Sequence, residues 1–173
     1  KLFKIVNQIN VPMIARINGH ALGGGFGLAC MADMAVCSRN AKLGSPEAKI
    51  GLFPMIILTH MLRLVPLRKL YEMAITGRNW SADEAFENGL LNKVVDTVDE
   101  LDDAVDELVK SILANSSTAI SIGKKTLRIM EYMNFEQRLE QAQQVINSLS
   151  QTEDAKEGMA AFSEKRKPVW TGK

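Results

Sequence analysis

Along the first half of the chain, short apolar runs alternate with turn residues. Met13, Ile14, Ala15, Arg16 and Ile17 make a β-leaning run bounded by Pro12 and by Asn18-Gly19, which predicts a buried strand over 13–17. Gly23, Gly24 and Gly25 then open onto Phe26, Leu28, Ala29 and Met31, a helical continuation that stops before a second strand over 34–37. A loop through Ser45 and Pro46 leads to a strongly apolar helix over 55–65, and Pro66 opens a further helix to Thr76, ahead of Gly77. Ser81 and Glu84 stand at capping-box spacing and Asn88-Gly89 supplies a left-handed stop, so a brief helix over 82–87 should feed a strand over 91–95. After Asp96 the pattern changes to long segments with apolar residues near every 3.6 positions, predicting helices over 100–114, 118–133, 135–149 and 154–165 and no strand. The layout is that of an α/β fold in two parts, 1–95 and 96–173.

Composition adds bounds to this picture. The 173 residues are 46% hydrophobic and 24% charged, ordinary values for a soluble domain with a real core. Basic and acidic side chains nearly cancel to a formal charge of +1, so no global field favours nucleic acid or an anionic membrane, and any anion must be met locally. The longest apolar stretch is interrupted by Thr59 and His60 and is too short to span a bilayer. Cys30 and Cys37 form no CxxC and have no histidine at ligand spacing, so they read as buried free thiols and no metal is expected. At the C-terminal end, Glu164, Lys165, Arg166 and Lys167 read as a solvated helix end or as an anion contact.

Two constellations carry candidate chemistry. In the first, Asn18 to Asp33, glycines at the mouth of a helix let a ligand approach the backbone, and the unpaired amides there point at an anion or a carbonyl oxygen. A dinucleotide fingerprint is excluded, because the three glycines are consecutive and the acid expected on the following strand is missing. An amide at Gly24 could polarise a thioester carbonyl and hold an enolate oxyanion; the alternative is close packing of the helix on a neighbouring strand. The second constellation runs from Leu43 to Pro54. Glu47, just after Pro46 and among apolar residues, suits general acid/base work, since desolvation disfavours the charged form of a carboxylate. Pairing with Lys49, or capping of the helix after Pro54, is the alternative.

Together the two constellations resemble the crotonase superfamily, also called the enoyl-CoA hydratase/isomerase family. The likeness continues through Thr76-Gly77, through Ser81-Ala82-Asp83-Glu84-Ala85, through Asn88 to Val95, and through Glu157 to Pro168, so it covers essentially the whole chain. It implies a crotonase fold of repeated ββα units with a C-terminal helical region that mediates trimers, often paired into hexamers. It further implies an acyl-CoA substrate, no cofactor beyond the coenzyme A that the substrate carries, and a cytoplasmic or mitochondrial-matrix location, the bacterial cytoplasm being favoured. By resemblance, Gly24 is an oxyanion-hole amide and Glu47 the acid/base, with Gly23, Gly25, Phe26, Gly27, Pro54 and Met55 around the substrate. Phe162 and Lys165 match positions that reach the adenine and phosphate of a neighbouring subunit's coenzyme A.

This chain departs from the family pattern at two places. Gly27 stands where hydratases with two carboxylates have the second one, and bulky Met55, Ile56 and Ile57 follow Pro54 where small residues are common. One carboxylate suffices to shift a double bond through an enolate, whereas hydration is expected to be slower. Relative to the family, the first ββα units and the second oxyanion amide are expected to precede Lys1, and 1–173 alone is expected to be inactive. A non-catalytic acyl-CoA binder or assembly subunit, or another crotonase reaction such as decarboxylation or thioester hydrolysis, is the competing expectation.

Overall fold

The computed structural model describes residues 2–173. In chain order its elements are α1 (Leu2–Val6), β1 (Ile14–Ile17), β2 (Ala21–Leu22), α2 (Gly24–Ala29), β3 (Met34–Ser38), β4 (Lys42–Gly44) and a 3-10 helix (Pro46–Ile50). They continue with α3 (Met55–Met61), α4 (Leu67–Thr76), β5 (Trp80–Ser81), α5 (Ala82–Glu87), β6 (Lys93–Val95) and α6 (Val98–Leu113). Three helices close the chain: α7 (Ser117–Met130), α8 (Phe135–Leu149) and α9 (Glu153–Ser163). Two compact units result, one over Met13–Leu108 and one that joins 2–12 to Val109–Lys173.

In the Met13–Leu108 unit, β1, β3 and β6 form a parallel sheet with β3 in the centre, Ile14 facing Met34 and Val36 facing Lys93. Val36 and Cys37 on the central strand are fully buried, as a strand covered on both faces requires. Side chains finish this sheet. The Asp33 carboxylate accepts the N–H of Met13 at 2.7 Å, and the side-chain oxygen of Asn92 accepts the N–H of Ala35 at 2.7 Å. Because Asn92 takes that ladder position with its side chain and Leu91 turns into the core, β6 starts at Lys93 and is shorter than the predicted 91–95.

A second small sheet, β2-β4-β5, was absent from the sequence expectation. Leu22 faces Gly44 in parallel, and Leu43 faces Trp80 antiparallel. Strands of two or three residues are too short to show alternation. Phe26, Leu43, Met61, Met73 and Trp80 are fully buried in one cluster, each worth roughly 1.5–3 kcal/mol of transfer free energy. Helix α3 ends at Met61, short of the predicted 65: bonds from Arg63 to His60 and from Leu64 to Met61 tighten the chain into a turn, and Pro66 disfavours helical backbone at Val65. Gly77 ends α4 with φ of 62°, and the Ser81/Glu84 capping box forms in full.

In the other unit, the side chains of Lys124 and Arg128 on α7 hold the carbonyls of Val11, Asn7 and Ile9. Asn134 and Gln137 form a reciprocal cap on α8, so α7 must end at Met130 to leave room for the turn. Helix α8 buries none of its residues and carries exposed Phe135, Leu139 and Ile146. Helix α9 ends at Ser163 because Lys165 turns left-handed (φ 55°) and the N–H of Arg166 returns to the carbonyl of Ala161. The tail then runs back along α9, with the Trp170 ring against Gly158 and its Nε1 donating to Ala114 at 2.8 Å. No helix among the described residues is long and apolar enough to cross a membrane.

Candidate active site

The glycine turn is built at Gly23, whose φ of 53° and ψ of −124° suit a residue without a side chain. Its N–H donates to the carbonyl of Gly44 at 2.9 Å, tying the turn to β4, and its carbonyl accepts from Gly27 to start α2. Gly24 and Gly25 are exposed, and a Cβ added to either would meet nothing within 4 Å. Their N–H groups lie in the first turn of α2 and have no intrahelical acceptor, which leaves two donors beside open space.

Glu47 comes to this turn from the next loop. Ser45 begins the 3-10 helix, Pro46 presets its first residue, and Gly51 ends it with φ of 76°. The Glu47 carbonyl accepts from Leu52 at 3.0 Å, closing the loop below the side chain. Oε2 of Glu47 accepts from Ser45 Oγ at 2.7 Å, while Oε1 lies 3.3 Å from where a Cβ on Gly23 would stand. The half-buried carboxylate therefore rests against the bare face of Gly23, one residue from the Gly24 amide. Neither structural alternative for Glu47 holds among the described residues. Lys49 lies with its aliphatic carbons about Gly77, at 3.1 Å from a Cβ there, and α3 has no side-chain cap.

The other expected site residues divide. Pro54 is buried at the start of α3, whereas Met55 and Ile56 are 66% and 63% exposed and leave an apolar surface beyond the glutamate loop. The Phe26 side chain is entirely buried in the core, so a substrate contact through its ring is corrected to a packing role; Gly27 is buried as well. Phe162 is 87% exposed on α9 in the other unit, and Lys165 is exposed just past that helix. Next to it, Arg166 makes a bidentate pair with Glu157 at 2.6 and 2.9 Å, so the basic cluster is only partly solvated. Ser45 is the residue that spacing did not single out; its signal was a serine two places before an acid, across a proline that forces a tight turn.

Both thiols are buried, and burial pushes Cys30 up to about 12 and Cys37 up to about 11, so neither is a nucleophile at neutral pH. His20 accepts the N–H of Lys42 through Nδ1 at 3.1 Å, and His60 is buried on α3. Among the described residues no cluster of His, Cys, Asp and Glu is arranged to hold a metal.

Comparison with known proteins bears on this geometry. The family model described as enoyl-CoA hydratase/isomerase matches residues 1–173. A carnitinyl-CoA dehydratase of Salmonella paratyphi A is 38% identical over 171 residues, an alignment that takes in 96% of this chain and 65% of that protein. A solved enoyl-CoA hydratase of Mycobacterium smegmatis superposes with a TM-score of 0.94 at 31% identity, covering 98% of this chain and 65% of that one. The human enoyl coenzyme A hydratase domain-containing protein 3 gives 0.93 at 32%, over 98% of this chain and 66% of its own. The chain thus spans about two thirds of the length of the relatives it matches.

Proposed function

The chain belongs to the enoyl-CoA hydratase/isomerase family and has the crotonase fold, and from that premise we propose that the protein carrying it acts on an acyl-CoA thioester through an enolate, with Glu47 as the acid/base. The observation that supports this reading is the approach of Glu47 Oε1 to Gly23, beside the amide of Gly24. A thioester oxygen accepting from the Gly24 N–H puts the carbon next to that carbonyl near the carboxylate. Glu47 takes the proton from this carbon, the C–H electron pair moves into the carbonyl, and the charge gathers on the oxygen that the amide faces. One such donor is worth about 3 kcal/mol in the transition state. Return of the proton completes the step, so no cofactor is needed beyond the coenzyme A of the substrate.

Two outcomes of the enolate are open to this site. Loss or addition of water at the β-carbon is the lyase reading, supported by relatives named enoyl-CoA hydratase and carnitinyl-CoA dehydratase. Return of the proton at a different carbon is the isomerase reading, favoured by Gly27, which leaves Glu47 without the second carboxylate of the two-acid pattern. Phe162 and Lys165 suit the base and phosphates of coenzyme A, through an aromatic face and a point charge, in a partner subunit of a trimer or hexamer. The exposed apolar residues of α8 supply surface for such an assembly. A compartment rich in CoA thioesters follows, the bacterial cytoplasm or the mitochondrial matrix.

The test uses the complete protein with crotonyl-CoA and with a 3-enoyl-CoA. Turnover of the first assigns a hydratase and conversion of the second an isomerase, with Glu47→Gln lower by roughly 10²–10⁴ on the active substrate. No turnover of either removes the hydratase and isomerase readings and leaves an acyl-CoA binder, an assembly subunit or another crotonase reaction, whereas unchanged turnover in the variant removes Glu47 as the acid/base.

A further inference from the structure

Ser45 stands at the start of the 3-10 helix Pro46–Ile50, where a serine side chain ordinarily accepts a backbone N–H from the first turn. It makes no such cap. Its hydroxyl instead donates to Oε2 of Glu47 at 2.7 Å, and the residue is 1% exposed, so water does not compete for that proton. Among the described residues, Oε1 of Glu47 accepts no hydrogen bond and faces Gly23. The two oxygens are therefore inequivalent: one is tied to a buried donor, the other is left at the glycine turn.

We propose that Ser45 is a positioning residue that fixes Oε2 of Glu47 and thereby assigns Oε1 as the oxygen that takes and returns the substrate proton. This rests on the reading of Glu47 as the acid/base and adds to it the identity of the working oxygen and of the group that selects it. The physical basis is directional. A carboxylate on a two-carbon stem has freedom about its last torsion, and a short charge-assisted bond to a buried hydroxyl removes most of it. Without the hydroxyl the carboxylate turns, and Oε1 loses its aim at the acyl carbon. Binding of the thioester does not use this contact, so the loss falls on the chemical step.

Steady-state kinetics of the complete protein, on whichever enoyl-CoA it turns over, decide the matter with Ser45→Ala, Ser45→Thr, Ser45→Val and Glu47→Gln side by side. Ser45→Ala lowers kcat about tenfold or more, the range of one hydrogen bond to a charged group, with KM nearly unchanged. Threonine keeps the hydroxyl and restores most of kcat, whereas valine, of the same shape without it, does not. Wild-type kcat in Ser45→Ala together with an inactive Glu47→Gln overturns the assignment and leaves the parent reading intact. A loss confined to KM, or valine performing as well as threonine, overturns it too. An active Glu47→Gln defeats the parent reading itself. Alanine fits the buried site without added volume, so this variant decides even if the larger two fail to fold.

Discussion

In the Met13–Leu108 unit Ser45 donates to Glu47 at 2.7 Å, and in the unit holding Val109–Lys173 Ser116 donates to Asp154 at 2.6 Å. The two carboxylates share a partner type and differ in everything around it. Asp154 is almost completely buried, and its other oxygen accepts the N–H of Thr171 at 2.7 Å, the N–H of Gly172 at 3.1 Å and the hydroxyl of Thr171 at 3.2 Å. Its acceptor sites are filled, and that binds the tail to α9. Glu47 is half-buried and keeps one oxygen against a glycine. A saturated carboxylate holds structure together, whereas one left half-satisfied beside open backbone donors is available for chemistry. The packing around them differs in the same sense: a cluster of large apolar side chains supports Glu47, and polar clasps secure the tail.

The largest break in this contrast is expected from Gly23→Ala. The left-handed φ of Gly23 strains any other residue, and the added methyl reaches within 3.3 Å of Oε1. A displacement of this kind is expected to cost about 10²-fold in kcat of the complete protein, read by steady-state kinetics, with the melting temperature only modestly lower. Activity equal to wild type would mean that Oε1 does not work from that position. Asp154→Asn is expected to act on the fold instead: the amide cannot accept at every site that the carboxylate fills, so thermal unfolding shifts down by several degrees and chymotrypsin cuts the tail after Trp170 faster.

The smallest effect is a pH effect. Hydrogen bonds from Ser116 and, further, from Thr171 and Gly172 hold Asp154 below the ordinary carboxylate range, at about 2. The Arg166 guanidinium and the Val169 N–H hold Glu157 down to about 2 as well. Because both are depressed in the folded chain, the stability that they contribute is fully present above about pH 5 and is lost as pH falls through about 2. The protection of the Thr171 and Gly172 amides, taken as their exchange rate relative to that of the unstructured chain at the same pH, is expected to hold at and above about pH 5 and to fall as pH drops toward about 2. Protection that is already lost near neutrality would show that Asp154 does not hold the tail.

Much of the architecture was legible because it is written in local signals. The strand at β1, the capping box at Ser81 and Glu84, the left-handed glycines and four amphipathic helices follow from periodicity and turn chemistry. The small sheet of β2, β4 and β5 escaped because two-residue strands are made by tertiary pairing and not by pattern. The candidate site was legible as two motifs, around Gly23 to Gly25 and around Glu47, which family likeness placed at one substrate; pattern did not show the Gly23 to Gly44 bond that joins them across a long stretch of chain, nor the Ser45 hydroxyl on Glu47. Phe26 shows the converse: family likeness set it around the substrate, and its side chain lies wholly in the core.

The central claim is that Glu47 exchanges a proton with the carbon beside a thioester carbonyl held at the glycine turn. Proton NMR of a saturated acyl-CoA in deuterated buffer with the complete protein tests it whether the overall reaction is hydration or isomerisation. Loss of the α-proton signal with wild type and its persistence with Glu47→Gln is the predicted result. Exchange at equal rates in both, or in neither while an enoyl-CoA is still turned over, would contradict the account.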